Sequence, residues 1–441
     1  MKNKVHTVPM RFVLPVIIET IITVATGLVF SQIVSTVSES ALAATGLSNS
    51  IMDVLIGFCA LVSTGSAVLI SQQVGAGAHG DAAKAVEKTT GLTLLITGAI
   101  VAVMELTAYP FIRLLMSNSE DTFFQEALRY YRLMALSLPM QILMAVFMGI
   151  SRGMGDSRSP MIAMGIRNFC QLLFGWLFIQ CLPLEELGAA LAHVLSRFLG
   201  MILSLWAVKK NPLKIPIRFW NMFRSNKQMS ARILRVGMPA ALGGIGVNLG
   251  YLVDNSLAAS LSAFDCSVYQ LLITVCSLIS FPQTISTYIS LPVIGNLLGA
   301  KNVKQAKKSG MGIFIVSILV TLVLAALVLA NGEQILRLYT TNEDMVQRTN
   351  SILWILLVFN ISAMGVNVFG PQLQGGGDTK MVMIFDMISV WAFRIPLSYL
   401  FCNYFHWGVL GLFGANAVCL YVRWAMQLVR WFGKRWYANK V

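Results

Sequence analysis

The sequence predicts an all-α integral membrane protein of about twelve transmembrane helices in two pseudo-symmetric six-helix lobes. Three observations predict it: a composition suited to lipid, apolar runs of membrane-spanning length, and a chain that repeats itself halfway. Of 441 residues, 56% are hydrophobic and 12% charged, and the mean hydropathy is +0.71. A soluble domain carries about a quarter charged residues. Runs such as Ser309–Ala330, and Gly91–Tyr109 with its single charge at Glu105, are long enough to cross roughly 30 Å of hydrocarbon.

In order, the spans fall at 12–36, 46–72, 89–113, 122–149, 160–182, 187–208, 236–258, 267–295, 309–330, 346–370, 381–402 and 409–430. The segment MKNKVHTVPMRF ahead of the first shows no small-residue cleavage site, so no removable signal peptide is expected. Charge orients the spans. With the N-terminus inside, inner segments hold 24 Lys and Arg, against 5 in the outer loops and adjoining helix ends, the bias of cytoplasmic loops. Glu120, Asp121, Glu126, Glu185, Glu186, Glu343 and Asp344 all fall outside. The expectation is a multi-pass protein of the cell (plasma or inner) membrane with both termini cytoplasmic. Topology then accounts for the net charge of +14 without a nucleic-acid partner. The seven cysteines are scattered without CxxC spacing, which favours an apolar structural role over metal or redox chemistry.

The halves align at an offset of 222 to 224 residues. Leu14-Pro15 and Met238-Pro239 open the first and seventh spans. Gly75, Ala76, Ala82 and Lys84 match Gly299, Ala300, Ala306 and Lys308. The loop Arg152-Gly-Met-Gly-Asp156-Ser-Arg158 matches Gln374-Gly-Gly-Gly-Asp378-Thr-Lys380, and Gly188–His193 matches Gly411–Asn416. Each half has an even number of spans, so the repeat is parallel, with its axis along the membrane normal. An N-lobe of 1–208, a basic linker of 209–235 and a C-lobe of 236–441 follow, and rocking of the lobes would alternate access to a cleft between them.

These residues resemble the multidrug and toxic compound extrusion (MATE) transporters over nearly the whole chain. The resemblance rests on Ser-Ala-Leu-Ala-Ala-Thr-Gly at 40–46, on Gly65–Ala76, on both Gly-Asp loops and on Gly188-Ala-Ala-Leu-Ala. It implies a V-shaped two-lobe exporter in which substrate leaves in exchange for H⁺ or Na⁺, with no other cofactor. Departures matter for mechanism. Many prokaryotic members carry an Asp in the first span where this chain has Phe30, and others a Glu in the seventh where it has Val247. Asn168 looks matched to the family's N-lobe network, but the acidic neighbour one turn on is Leu172 and the Thr of the sixth span is His193.

An ionisable side chain inside a span costs several kcal/mol unless paired or hydrated, so each is a functional candidate. The ion-coupling candidates are Glu19, His193, Asp254 and Asp53. Glu19 lies about 10 Å inside the inner face, one turn beyond Pro15; Asp254 stands at the repeat position of Phe30. The candidates for a substrate cavity or polar network are Arg167, Asn168, Arg197, Asp386, Arg394, Tyr251 and Tyr288. For each, the alternative is an interhelical pair that only fixes packing. Glu105 favours the structural reading, Asp254 could be solvated near the outer end of its helix, and Arg423 is expected to extend to the inner interface. Glycines 243, 244, 246 and 250 permit close helix contact, and Pro282, Pro292 and Pro396 permit bends.

No HExxH, GxSxG, P-loop or clustered metal pattern appears, which argues against an enzyme, a resident metal and ATP drive. No repeated pore loop or acidic ring suggests a channel. The reading is secondary active efflux of organic, cationic amphipathic compounds by a monomer in the bilayer; the alternative is a related flippase or an exporter of anionic or zwitterionic metabolites.

Overall fold

The computed structural model describes residues 10–35, 61–115, 121–182, 184–211, 213, 215–223, 227–340 and 342–437. Among the described residues every regular element is helical. The first half comprises α1 (Met10–Ser35), α2 (61–75), α3 (His79–Leu115), α4 (Asp121–Gly153), α5 (Arg158–Trp176) with a π-helical turn at Leu177–Cys181, and α6 (Glu185–Lys209). The second opens with α7 (Lys227–Leu261), followed by α8 (Ala263–Ile279), α9 (Phe281–Gly299), α10 (Val303–Ala330), α11 (Gly332–Arg337), α12 (Glu343–Ile352) and α13 (Ile355–Gly375). It closes with α14 (Thr379–Met387), a π-helical segment Ile388–Arg394, α15 (Ile395–Tyr399), a second π-helical turn Leu400–Tyr404, and α16 (Gly408–Phe432).

Among the described residues, helix lies within each of the twelve predicted spans. Nine helical stretches there are long and apolar enough to cross a membrane, and α8 with α9 forms a tenth bent by 52°. In α1 the apolar stretch is the shorter Val13–Gly27, and α2 is described from 61. The bend has a local cause: Pro282 sits in the first turn of α9, where its missing N–H would have no partner in any case. Pro292 lies inside α9 without a break. On α10 the most apolar stretch has a mean hydropathy of 3.1 but is only 22% covered by protein, which suits a helix solvated by lipid.

The chain divides into two compact units, Pro9–Ala241 and Leu242–Val441. Within the first, α4 packs on α6 and α3, and α5 on α6 and α1. Within the second, α13 packs on α16, α9 and α10. The pairing of α4 with α6 therefore recurs as α13 with α16, and α3 with α4 as α10 with α13. The two π-helical turns repeat as well: Leu182 N–H reaches Leu177 C=O at 3.0 Å and Phe405 N–H reaches Leu400 C=O at 3.1 Å.

The start of α7 belongs to the first unit, where glycines set its approach to α2. A Cβ on Gly237 would run into the Leu61 carbonyl, and one on Gly65 into that of Ile233. Backbone cannot swing aside as a long side chain can, so Gly237→Leu is expected to destabilise by about 3 kcal/mol, the upper range for overpacking. Thermal unfolding of the purified protein in detergent checks this. The basic linker is folded down on α3: Lys88 Nζ donates to Met222 C=O at 3.1 Å, and Arg218 N–H donates to Glu87 Oε1 at 2.6 Å. Buried Asn211 donates to the carbonyls of Val208 and Ile215 and accepts from Ile215 N–H.

Candidate functional site

In the second unit a small-residue stripe on α7 brings α14 close. A Cβ on Gly243 would lie 2.7 Å from Asp386 Oδ2, one on Gly246 would meet the end of Met387, and one on Gly250 would lie 2.9 Å from Val390 Cγ1. Opposite this stripe, Pro396 has no N–H and crowds the turn before it. The backbone there opens to π geometry, with Ile395 N–H bonding to Val390 C=O. Arg394 is the last residue of that widened segment, and it reaches across to α7.

Its target is Asp254, one turn beyond Gly250 and fully buried. Arg394 Nε and Nη2 donate to Asp254 Oδ2 at 2.9 and 2.7 Å. Asn416 Nδ2 donates to the same oxygen at 2.5 Å, and Ser398 Oγ donates to Oδ1 at 3.0 Å. The face of Tyr251 lies 3.9 Å from the Arg394 guanidinium carbon, a cation–π contact. Asp254 is thus not solvated at a helix end, as its position had allowed. It is the centre of a desolvated cluster drawn from α7, α15, α16 and the π segment.

Asp386 and Arg394 share one span yet do not pair with each other. Arg423 Nη2 of α16 lies 2.6 Å from Asp386 Oδ1, with the arginine side chain 15% exposed. Arg423, expected to extend to the interface, is therefore held by Asp386, a carboxylate for which the absent side chain at Gly243 leaves room. That carboxylate needs a counter-charge.

The first unit places an aromatic ring and a histidine where the second has an acid and an amide. Phe30 and His193, which stand at the repeat positions of Asp254 and Asn416, touch each other just as those two do, with ring centroids 4.6 Å apart in an edge-on arrangement. Both are buried, and His193 Nδ1 has no hydrogen-bond partner among the described residues. Glu19 is buried and pairs with Arg152 at the end of α4, Nη2 to Oε1 being 2.5 Å. Asn168 Nδ2 donates to Thr23 Oγ1 at 3.1 Å, and Thr23 Oγ1 in turn donates to the Glu19 carbonyl at 2.8 Å. Half-buried Arg167 donates to Asn168 Oδ1 at 3.0 Å, and Arg197 to Ser137 Oγ at 2.6 Å.

Tyr288 is 41% exposed on α9. Asp53 and the 40–46 motif lie outside the described residues. Glu105 meets Arg132 at 3.6 Å, both side chains being a third to a half exposed. Such pairs contribute little, and Glu105→Gln is expected to shift stability by no more than about 0.5 kcal/mol in the same thermal assay.

Sequence reasoning over ionisable groups passed by a second buried network, made of amides and hydroxyls. Asn360 of α13 is fully buried. Its Oδ1 accepts from Gln283 Nε2 at 2.7 Å and from Ser280 Oγ at 3.0 Å. Its Nδ2 donates to Leu356 C=O at 2.8 Å and to Cys276 Sγ at 3.4 Å. Asn367 Nδ2 adds a 3.4 Å contact to Gln283 Oε1. The network sits on the bend between α8 and α9. The signal available was the presence of Gln283, Asn360 and Asn367 inside apolar spans. Arg152 was also passed by, counted as a loop residue.

One family model, MatE, matches the chain twice, over residues 15–177 and 239–400, once per repeat. The transporter YisQ of Bacillus subtilis, described as uncharacterized, is 23% identical over 430 residues, covering 96% of this chain and 93% of that protein. A probable multidrug resistance protein, NorM of Thermotoga maritima, is 24% identical over 434 residues, covering 97% and 92%. Among solved structures, a Pyrococcus furiosus transporter of the MOP superfamily, described as having a binding pocket of reverse polarity, superposes with TM-score 0.88 at 21% identity, covering 96% of this chain and 94% of its own. A point mutant of the Vibrio cholerae MATE transporter VcmN superposes with TM-score 0.86 at 19% identity, covering 98% of each. With a double match across both halves and the same fold in these structures, the chain belongs to the MatE family of membrane transporters and is not an enzyme.

Proposed function

We propose that the chain is a secondary active exporter of organic, cationic amphipathic compounds, moving them outward in exchange for H⁺ or Na⁺ by alternating access of its two halves. It would act as a monomer with both termini in the cytoplasm of a cell membrane, as the Lys and Arg bias supports. The observation that carries the coupling is the Asp254 cluster, a fully buried carboxylate held by an arginine from another helix. A proton or Na⁺ taken up at Asp254 competes with Arg394 for the carboxylate and so loosens the contact between α7 and the π-helical segment. Glu19, pinned to Arg152, is the corresponding carrier in the first unit, and Thr23, Asn168 and Arg167 form a hydrogen-bonded chain on its backbone carbonyl. His193 sits against Phe30 at the position that matches Asn416, where a change in its protonation would act on α1 and α6. The name of the Thermotoga relative supports organic compounds of several kinds as substrates.

Arg167 favours a second reading, because among the described residues it donates to Asn168 and Met164 and to no carboxylate; an anionic or zwitterionic metabolite would complement it. Proteoliposome flux separates the two. With ethidium as cation and carboxyfluorescein as anion, efflux of ethidium driven by an imposed pH or Na⁺ gradient is expected. Efflux of carboxyfluorescein alone would establish the second reading, and flux of either dye indifferent to both gradients would overturn secondary transport.

A further inference from the structure

At the end of the last span, α14, α16 and the chain that follows enclose a groove of about 540 Å³. Phe385, Met426 and Val429 form its apolar wall, and Arg430, Lys434 and Arg435 its basic rim, with no acidic residue among the described lining groups. Val429 is 77% exposed, so the wall continues onto the surface that faces lipid. The rim is held in place. Trp436, next to Arg435, is fully buried, donates through Nε1 to Trp431 C=O at 2.6 Å and stacks on the Trp431 ring. A Cβ on Gly376 would lie 2.7 Å from Trp436, so the tail is seated closely on the second Gly-Asp loop. Asp378 of that loop takes Arg430 at 2.6 Å, which leaves Lys434 and Arg435 as the two charges in excess, both exposed.

The first unit has a groove of about 390 Å³ at the matching place, bounded by Trp206 and with Arg158 and Lys210 on its rim. There Asp156 is itself a lining group, accepting from the N–H groups of Arg158 and Ser159. The repeat thus keeps the groove but makes the second copy purely basic. We infer that the groove between α14, α16 and residues 433–435 binds the phosphate head group of an anionic phospholipid, with its acyl chains along Val429. An apolar wall beside fixed cations at the end of a span is the chemistry that selects anionic over zwitterionic lipid.

The full chain, purified and delipidated in detergent, is titrated with dioleoyl phosphatidylglycerol or dioleoyl phosphatidylcholine in mixed micelles, and bound lipid is counted by native mass spectrometry. Phosphatidylglycerol is expected to bind at one tight site, with K434Q/R435Q weakening it about 30-fold, the effect of two surface cations. Arg158→Gln with Lys210→Gln is expected to leave that site intact. Both double variants alter exposed side chains, and an unchanged melting temperature without lipid certifies their fold. Equal binding of the two lipids, an unchanged affinity in K434Q/R435Q, or full competition by inorganic phosphate at the lipid's concentration would overturn the inference.

Discussion

Arg394→Met is expected to destabilise the second unit by about 3–5 kcal/mol, the loss seen when one member of a buried ion pair is removed. The cause is not the strength of the pair, since burying two charges consumes most of their attraction. It is the isolated partner: Asp254 would remain fully buried with, among the described residues, Asn416 and Ser398 alone donating to it. Asp254→Asn keeps the shape and the bond from Asn416, and reverses the contact with Ser398, whose hydroxyl now accepts from the new amide, so it is expected to be the milder change. The double variant Asp254→Asn with Arg394→Met removes both charges and should regain much of the loss, with a coupling of up to about 3 kcal/mol. Thermal unfolding of the four proteins in one detergent gives that cycle directly. Simple additivity would mean that the two side chains are not in contact.

Asn360→Leu is the second large effect, expected at about 3 kcal/mol. Leucine matches the volume but leaves Gln283 Nε2 without its 2.7 Å acceptor in a fully buried site, and a buried donor left unmade costs about 1–3 kcal/mol. Ser280 also loses its bond to Asn360 while keeping one to Cys276 C=O. Because these residues straddle the 52° bend of α8 and α9, the loss should concentrate there. Hydrogen exchange is expected to rise around Ser280 to Gln283 and to remain unchanged in α3 and α4.

The spans and the repeat were legible because they are written in periodic and duplicated features: apolar length, the Gly-Asp loops and the inner excess of Lys and Arg. Even the facing of Phe30 on His193 and of Asp254 on Asn416 follows from the repeat, since equivalent positions in two copies of one fold touch equivalent neighbours. Partnerships were not legible. Depth along a helix placed Asp386 and Arg394 in one span, but rotation about its axis decides who meets whom, and a π-helical segment between them alters that rotation. Position in the inner part of the last span sends Arg423 towards the interface, and gives no hint that the space above Gly243 holds a carboxylate for it. Asn360 and Gln283 escaped because amides carry no charge and draw no attention at the level of composition, although a buried amide needs partners as surely as an acid does.

If buried carboxylates, Asp254 foremost, carry the ion that drives export, ethidium efflux from proteoliposomes under an imposed pH or Na⁺ gradient must depend on them. With wild type, Asp254→Asn and Glu19→Gln at equal incorporation, and ethidium exchange measured alongside with no gradient, Asp254→Asn is expected to lose gradient-driven efflux by about tenfold or more, roughly the 1.4 kcal/mol of one decade, while exchange persists. Glu19→Gln is expected to weaken the driven phase further when the two are combined. Driven efflux at the wild-type rate in both variants would rule out these carboxylates as the ion carriers.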